Sequence, residues 1–143
     1  MPTLSKASAK NVAVPAKITV DGATFTVTAI ADMAFRNNRK LTKVTVGSNV
    51  ATIGANAFSG CTALTKLTIP AKVKKIGKQA FYGCKKLRSV TVKTTKLTKS
   101  SVGSNAFKGI HAKAAIKVPK SKVKTYQTIF KARGAGKGVR IGK

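Results

Sequence analysis

Apolar residues return along this chain on a fixed step. Ile30, Ile53 and Ile76 are 23 residues apart, as are Phe35, Phe58 and Phe81, and so are Leu41, Leu64 and Leu87. The units read IADMAFRNNRKLTKVTV, IGANAFSGCTALTKLTI and IGKQAFYGCKKLRSVTV. A looser fourth, VGSNAFKGIHAKAAIKV, has Phe107 26 residues after Phe81, displaced by an insertion around Thr94–Ser101. Self-similarity at a period of a few tens of residues predicts a solenoid, in which each unit buries its apolar side against its neighbours.

Each unit divides into three parts. LTKVTV, LTKLTI and LRSVTV alternate as short strands, with Val44, Val46, Leu67, Ile69, Val90 and Val92 facing inward. Val50 with Ile53, and Val73 with Ile76, suit a short extended segment on the opposite wall. The Ala-Phe pairs (Ala57-Phe58, Ala80-Phe81, Ala106-Phe107) then plug the core from a short helical turn, and Gly60, Gly83 and Gly109 let the chain bend back. Residues 1–16 read as a loose leader. Lys17–Val20 and Ala23–Val27 flank Asp21-Gly22, a dipeptide suited to the positive φ angles of a type I′ turn, which predicts a hairpin over the first coil. After Pro119, Val123, Tyr126, Ile129 and Phe130 fall at helical spacing between Ser121, the expected N-cap, and Gly134. Val139-Arg140-Ile141 adds a final strand. The division is therefore 1–26 leader and hairpin cap, 27–118 repeat array and 119–143 helix-strand cap, within one structural domain.

The pattern L-x-x-V/L-x-V/I followed by I-G-x-x-A-F-x-G-C-x-x-L resembles the BspA-type leucine-rich repeats of bacterial cell-surface proteins across 27–118. The end beginning Val118-Pro119 resembles the tail that closes such arrays. The resemblance implies a β-rich α/β solenoid: a short right-handed leucine-rich-repeat array with parallel repeat strands. It also implies an extracellular or cell-surface location and a role in adhesion or ligand display. The repeat motif does not require the chain's extreme basicity; taken with that charge, the expected partners are a polyanionic glycan, a cell-wall polymer or a host protein.

Charge sharpens this picture. With 43% hydrophobic residues the chain has the composition of a folded domain rather than a basic tail. Yet 29 Lys and Arg stand against two acids, Asp21 and Asp32, for a net charge of +27. Residues 1–71 hold eight of the basic residues and both acids; the other 21, with no acid, lie in 72–143. Solubility is ordinarily obtained with both signs interspersed, so the imbalance points to a polyanionic partner. Candidate contacts are Lys43, Lys66 and Lys117 on the strand faces, alternating with Thr45, Thr68, Ser89 and Thr91. Further candidates are Lys72, Lys74, Lys75, Lys78, Lys85, Lys86 and Arg88 in the third repeat, and Lys120, Lys122, Lys124, Lys131 and Arg133 in the cap. Thr also suits exposed strands and Lys guards edges, so a solvated face is the competing reading. Nucleic acid, bound without sequence preference through its phosphates, is the alternative partner, and a spacer within a larger surface protein is the alternative role.

Catalytic material is sparse. One His, His111, and two acids offer no paired carboxylates, and neither a phosphate-cradling loop nor a nucleophile–base motif occurs, so the expectation is a non-enzymatic protein without cofactor. Asp32 reads as helix N-terminal stabilisation of the turn it opens. Cys61 and Cys84 share one repeat position, with Ile110 next in the column. A ladder of buried thiols, a disulfide and a metal site are the readings open there; an apolar Ile in the same slot favours packing, and structural zinc lacks a fourth ligand. No stretch approaches the ~20 apolar residues of a membrane span. MPTLSKASAKNVAVPAK lacks the apolar core of an export signal, which suits a piece of a longer exported protein.

Overall fold

The chain winds into coils that build two parallel sheets around a shared core, in a computed structural model that describes residues 3–4 and 11–143. Its strands are β1 (Thr3–Leu4), β2 (Asn11–Ala13), β3 (Lys17–Val20), β4 (Ala23–Thr26), β5 (Ala29–Ile30) and β6 (Lys43–Thr45). There follow β7 (Thr52–Ile53), β8 (Lys66–Ile69), β9 (Lys75–Ile76), β10 (Ser89–Val92) and β11 (Ala115–Lys117). A 3-10 turn (Lys120–Lys122), helix α1 (Val123–Ala132) and β12 (Arg140–Gly142) complete the chain. The larger sheet runs β12-β11-β10-β8-β6-β2 and the smaller β1-β5-β7-β9. A period of 2 along each strand sends alternate residues inward, so Val12, Val44, Leu67, Val90, Ile116 and Ile141 stack in register beneath the larger sheet and all are buried. Ile30, Ile53 and Ile76 do the same beneath the smaller one.

The Phe column closes the core at the third side. Phe35, Phe58, Phe81 and Phe107 are fully buried and stack with ring centroids 5.2, 5.5 and 5.4 Å apart. They do not stand on helical turns, as the sequence spacing suggests. Met33 and Phe35 donate their N–H groups to Ala55 O and Ala57 O of the next coil, each at 2.8 Å, whereas Ala34 and Arg36 donate to carbonyls three residues back. Alternate amides thus bridge coils, a pattern repeated by Asn56 and Phe58 with Lys78 and Ala80. A helix would keep those donors within one turn. Bridging instead requires a left-handed residue in each unit, supplied by Met33 (φ 57°), Asn56 (56°), Gln79 (54°) and Asn105 (56°). Asp32 consequently caps no helix; its Oδ1 accepts the Ala55 N–H of the next coil at 2.8 Å. Coils approach so closely here that a Cβ on Gly77 would collide with the backbone of Ala55 and Gly54.

Both ends hold more structure than the periodic signal reveals. The hairpin forms, with β3 and β4 antiparallel about Asp21 (φ 50°) and Gly22 (φ 80°), but as a separate two-stranded sheet with β4 wholly exposed, not as the expected cover over the first coil's strand edges. The segment read as a leader, however, supplies β1, paired with β5, and β2, paired with β6, so these strands occupy the N-terminal sheet edges. The remaining leader residues, 1–2 and 5–10, lie outside those described. At the other end, Ser121 lies inside the 3-10 turn and α1 begins at Val123 without a side-chain cap. Packing fixes this helix instead. Phe130 extends the Phe column, 4.8 Å from Phe107, and the buried Tyr126 hydroxyl donates to Thr94 O at 2.8 Å while accepting Leu97 N–H at 3.2 Å. The insertion that breaks the period is thereby locked to the cap. Gln127 Nε2 donates to Ile141 O at 2.8 Å, tying α1 to the final strand β12.

Candidate binding surface

Because inward residues alternate with outward ones, the outer face of the larger sheet carries two columns of outward positions, most of them polar. One runs Asn11, Lys43, Lys66, Ser89, Ala115, Arg140; the other runs Ala13, Thr45, Thr68, Thr91, Lys117, Gly142. Lys43 and Lys66 are direct register partners, on strands spaced about 4.8 Å apart. A shallow groove of about 410 Å³ lies on this face between β6 and β8, with Lys43, Lys66 and Lys93 at its margins and Thr45, Ser48 and Thr68 offering hydroxyls. Smaller depressions continue the face at both ends, one lined by Asn11, Lys43 and Thr45 and another by Lys117, Arg140 and Lys143.

The structure gathers some of the sequence candidates and disperses others. Lys43, Lys66 and Lys117 share the sheet face and are exposed. Lys75 stands in β9 of the other sheet, beside Lys74 and Lys72, and Lys72 Nζ donates to Asn49 Oδ1 at 2.8 Å. Lys78, Lys85, Lys86 and Arg88 project from the turns on either side of the Phe81 segment. Lys120, Lys124 and Lys131 are exposed on the cap, while Lys122 is half-buried. Arg133 is partly buried and committed locally, donating from Nη2 to Lys99 O at 2.7 Å. Lys93 and Arg140 join the sheet face although neither stood out in sequence. Lys93 continues the outward alternation of Ser89 and Thr91 one step past β10, its N–H donating to Ile69 O at 2.9 Å, and Arg140 comes into register only when β12 pairs with β11.

Cys61 and Cys84 are free, buried thiols. Their Sγ atoms donate to Phe35 O and Phe58 O of the preceding coils at 3.0 and 3.1 Å. Burial pushes the Cys61 thiol up to about 11 against a weaker opposing backbone hydrogen bond. Cys84 is raised further, by burial first and by the neighbouring Cys61 second. Buried Asn38 heads the same column, three residues after Phe35, and its Oδ1 accepts the Lys40 and Leu41 N–H groups at 3.0 and 3.1 Å. The column therefore satisfies backbone groups at the bend. Among the described residues no cluster of three or more His, Cys, Asp or Glu could hold a metal ion. Nor is any described helix long and apolar enough to cross a membrane.

A stack of 23-residue coils with parallel strands, an Asn/Cys column at the bend and a covering helix defines a leucine-rich-repeat solenoid. The BspA-type leucine-rich repeat region matches residues 9–134 in six copies, and the chain belongs to that family. A leucine-rich repeat protein from Bacteroides ovatus is similar at 31% identity over 93% of this chain, with a TM-score of 0.68. A leucine-rich cell surface protein from Faecalibacterium prausnitzii is similar at 31% identity over 79%, with a TM-score of 0.64. The chain spans 30% of the length of each of these two proteins. A third, from Bacteroides capillosus, shares 27% identity over 76% of this chain and 84% of its own, with a TM-score of 0.60. No curated protein matches the chain.

Proposed function

We propose that this chain is a non-enzymatic binding module of the bacterial cell surface that engages polyanionic ligands through its basic exterior. The observation that carries this reading is a net charge of +27 on a folded repeat array. Its two carboxylates cannot neutralise 29 cations, and one of them, on Asp32, is spent on a backbone N–H. Such a charge costs compactness through self-repulsion, a cost that an anionic partner or anionic surroundings offsets. The surface location draws on the family and on the similar cell surface protein of Faecalibacterium prausnitzii. Leucine-rich repeats present extended side-chain arrays rather than enclosed reaction sites, which suits recognition rather than catalysis.

Titration of the purified chain against heparin, a teichoic-acid-type wall polymer, duplex DNA and neutral dextran at several salt concentrations tests the reading. Binding to the anionic polymers with steep weakening as salt rises, and none to dextran, is the expected result. Salt-insensitive binding to dextran, or no binding to any anionic polymer, contradicts it and favours a spacer role.

A further inference from the structure

Resting on that reading, we infer that the outer face of the larger sheet is the seat of an extended acidic polysaccharide lying across the strands, along the solenoid axis. Three observations carry the inference. First, Lys43 and Lys66 oppose each other directly in the β6–β8 register. Like charges in that relation destabilise a sheet, and no other pair in the described ladders places two cations opposite each other. A local rule broken without an internal counter-charge is expected where a ligand supplies the compensation. Second, Lys93 lines the same groove, so three lysines border it with no carboxylate among its lining residues. Third, the depressions at the two ends of the face continue this groove toward Asn11 on one side and toward Lys117 and Arg140 on the other. The cations thus form two clusters joined by the neutral hydroxyls of Ser89 and Thr91.

The chemistry of the face selects the polymer. Hydroxyls interleaved with ammonium groups match a ligand that is itself rich in hydroxyls and carries carboxylates or sulfates at intervals. Single-stranded nucleic acid would call for aromatic platforms on which bases stack. The exposed large apolar residues among those described are Phe25, Met33 and Tyr82, and none belongs to this sheet. Arg, the residue suited to bidentate base contacts, occurs on the face only at Arg140.

The test compares K43Q/K66Q/K117Q/R140Q with K78Q/K85Q/K86Q/R88Q, which removes the same formal charge from the turns. Each is titrated with a heparin-derived dodecasaccharide and with an oligothymidylate of equal charge. The sheet variant is expected to lose about ten-fold or more in affinity for the oligosaccharide and the turn variant about three-fold or less, because only the former removes contacting cations. The wild-type chain is expected to prefer the oligosaccharide. K43Q/K66Q alone guards against a folding artefact: relief of the opposed charges should leave its melting temperature unchanged or higher while affinity still falls. Equal losses in the two four-fold variants overturn the placement but leave the polyanion reading standing. Equal or tighter binding of oligothymidylate overturns the polysaccharide assignment. No binding of either probe by the wild-type chain overturns the function proposed above, and this inference with it.

Discussion

Phe58 lies between two parallel rings, 5.2 Å from Phe35 and 5.5 Å from Phe81, with no exposure to solvent. Its truncation removes a whole rung of the column, and neighbours held by inter-coil hydrogen bonds have little freedom to collapse into the space. Phe58→Ala is therefore expected to cost about 3–5 kcal/mol, read from thermal or denaturant unfolding. A melt barely changed would contradict the register. The buried thiols give a second residue-level test. Their folded values lie above the unfolded one, so burial favours the protonated form, and the stability this confers is present below the unfolded value of 9.0. It is lost as pH rises from there toward about 11 for Cys61. Wild type should lose stability relative to C61A/C84A across that window, and native thiols should resist alkylation until the chain unfolds. Rapid alkylation of the native chain would contradict their burial. The thiol column was legible in sequence from its spacing, but Asn38 at its head was not, because one Asn before two Cys does not announce a shared position.

At the scale of elements, the repeat strands were readable because strict alternation and a fixed step reinforce each other. The β2 strand was not, because it precedes the first Ile-Phe-Leu landmark. Yet Val12-Ala13-Val14-Pro15-Ala16-Lys17 echoes Leu67-Thr68-Ile69-Pro70-Ala71-Lys72, and that echo was the available signal. The Ala-Phe turns were misread for a different reason. Spacing reports which residues face inward but not where alternate amides send their hydrogen bonds, and the destination is the next coil. Close stacking of those turns makes a sharp prediction. Gly77→Ala places a methyl group against the Ala55 and Gly54 backbone, which cannot move aside as a flexible side chain would. It should cost about 1–3 kcal/mol, the usual range for overpacking. Gly136, with nothing within 4 Å of its would-be Cβ, should accept Ala within about 0.5 kcal/mol. Equal effects at the two positions, measured by urea unfolding, would contradict the inter-coil contact.

Over the whole molecule, the charge divides by role. On the proposed reading, the 21 basic residues of 72–143 dominate the long-range field, and the sheet face, which draws Lys93, Lys117, Arg140 and Lys143 from that set, makes the close contacts. Charge reversal at Lys85, Lys86 and Arg88 should slow association with an anionic polymer more than reversal at Arg36, Arg39 and Lys40, since the first set lies in the half without acids. Equal slowing, measured by stopped flow, would contradict that division. The sequence displayed the quantity of charge but not its arrangement. Lys43 and Lys66 were recognisable as outward neighbours, while Lys93 extends the β10 alternation by one step beyond the apolar pattern and Arg140 reaches the face only through the closing strand. The central claim is that an extended polyanion lies along this axis, and its most direct measurement is affinity against ligand length. Six strands at about 4.8 Å span roughly 24 Å, so dissociation constants for heparin oligosaccharides should tighten with length until that distance is covered and then level off. The dependence should flatten as salt rises. A disaccharide that binds as tightly as a chain spanning the sheet would contradict the account.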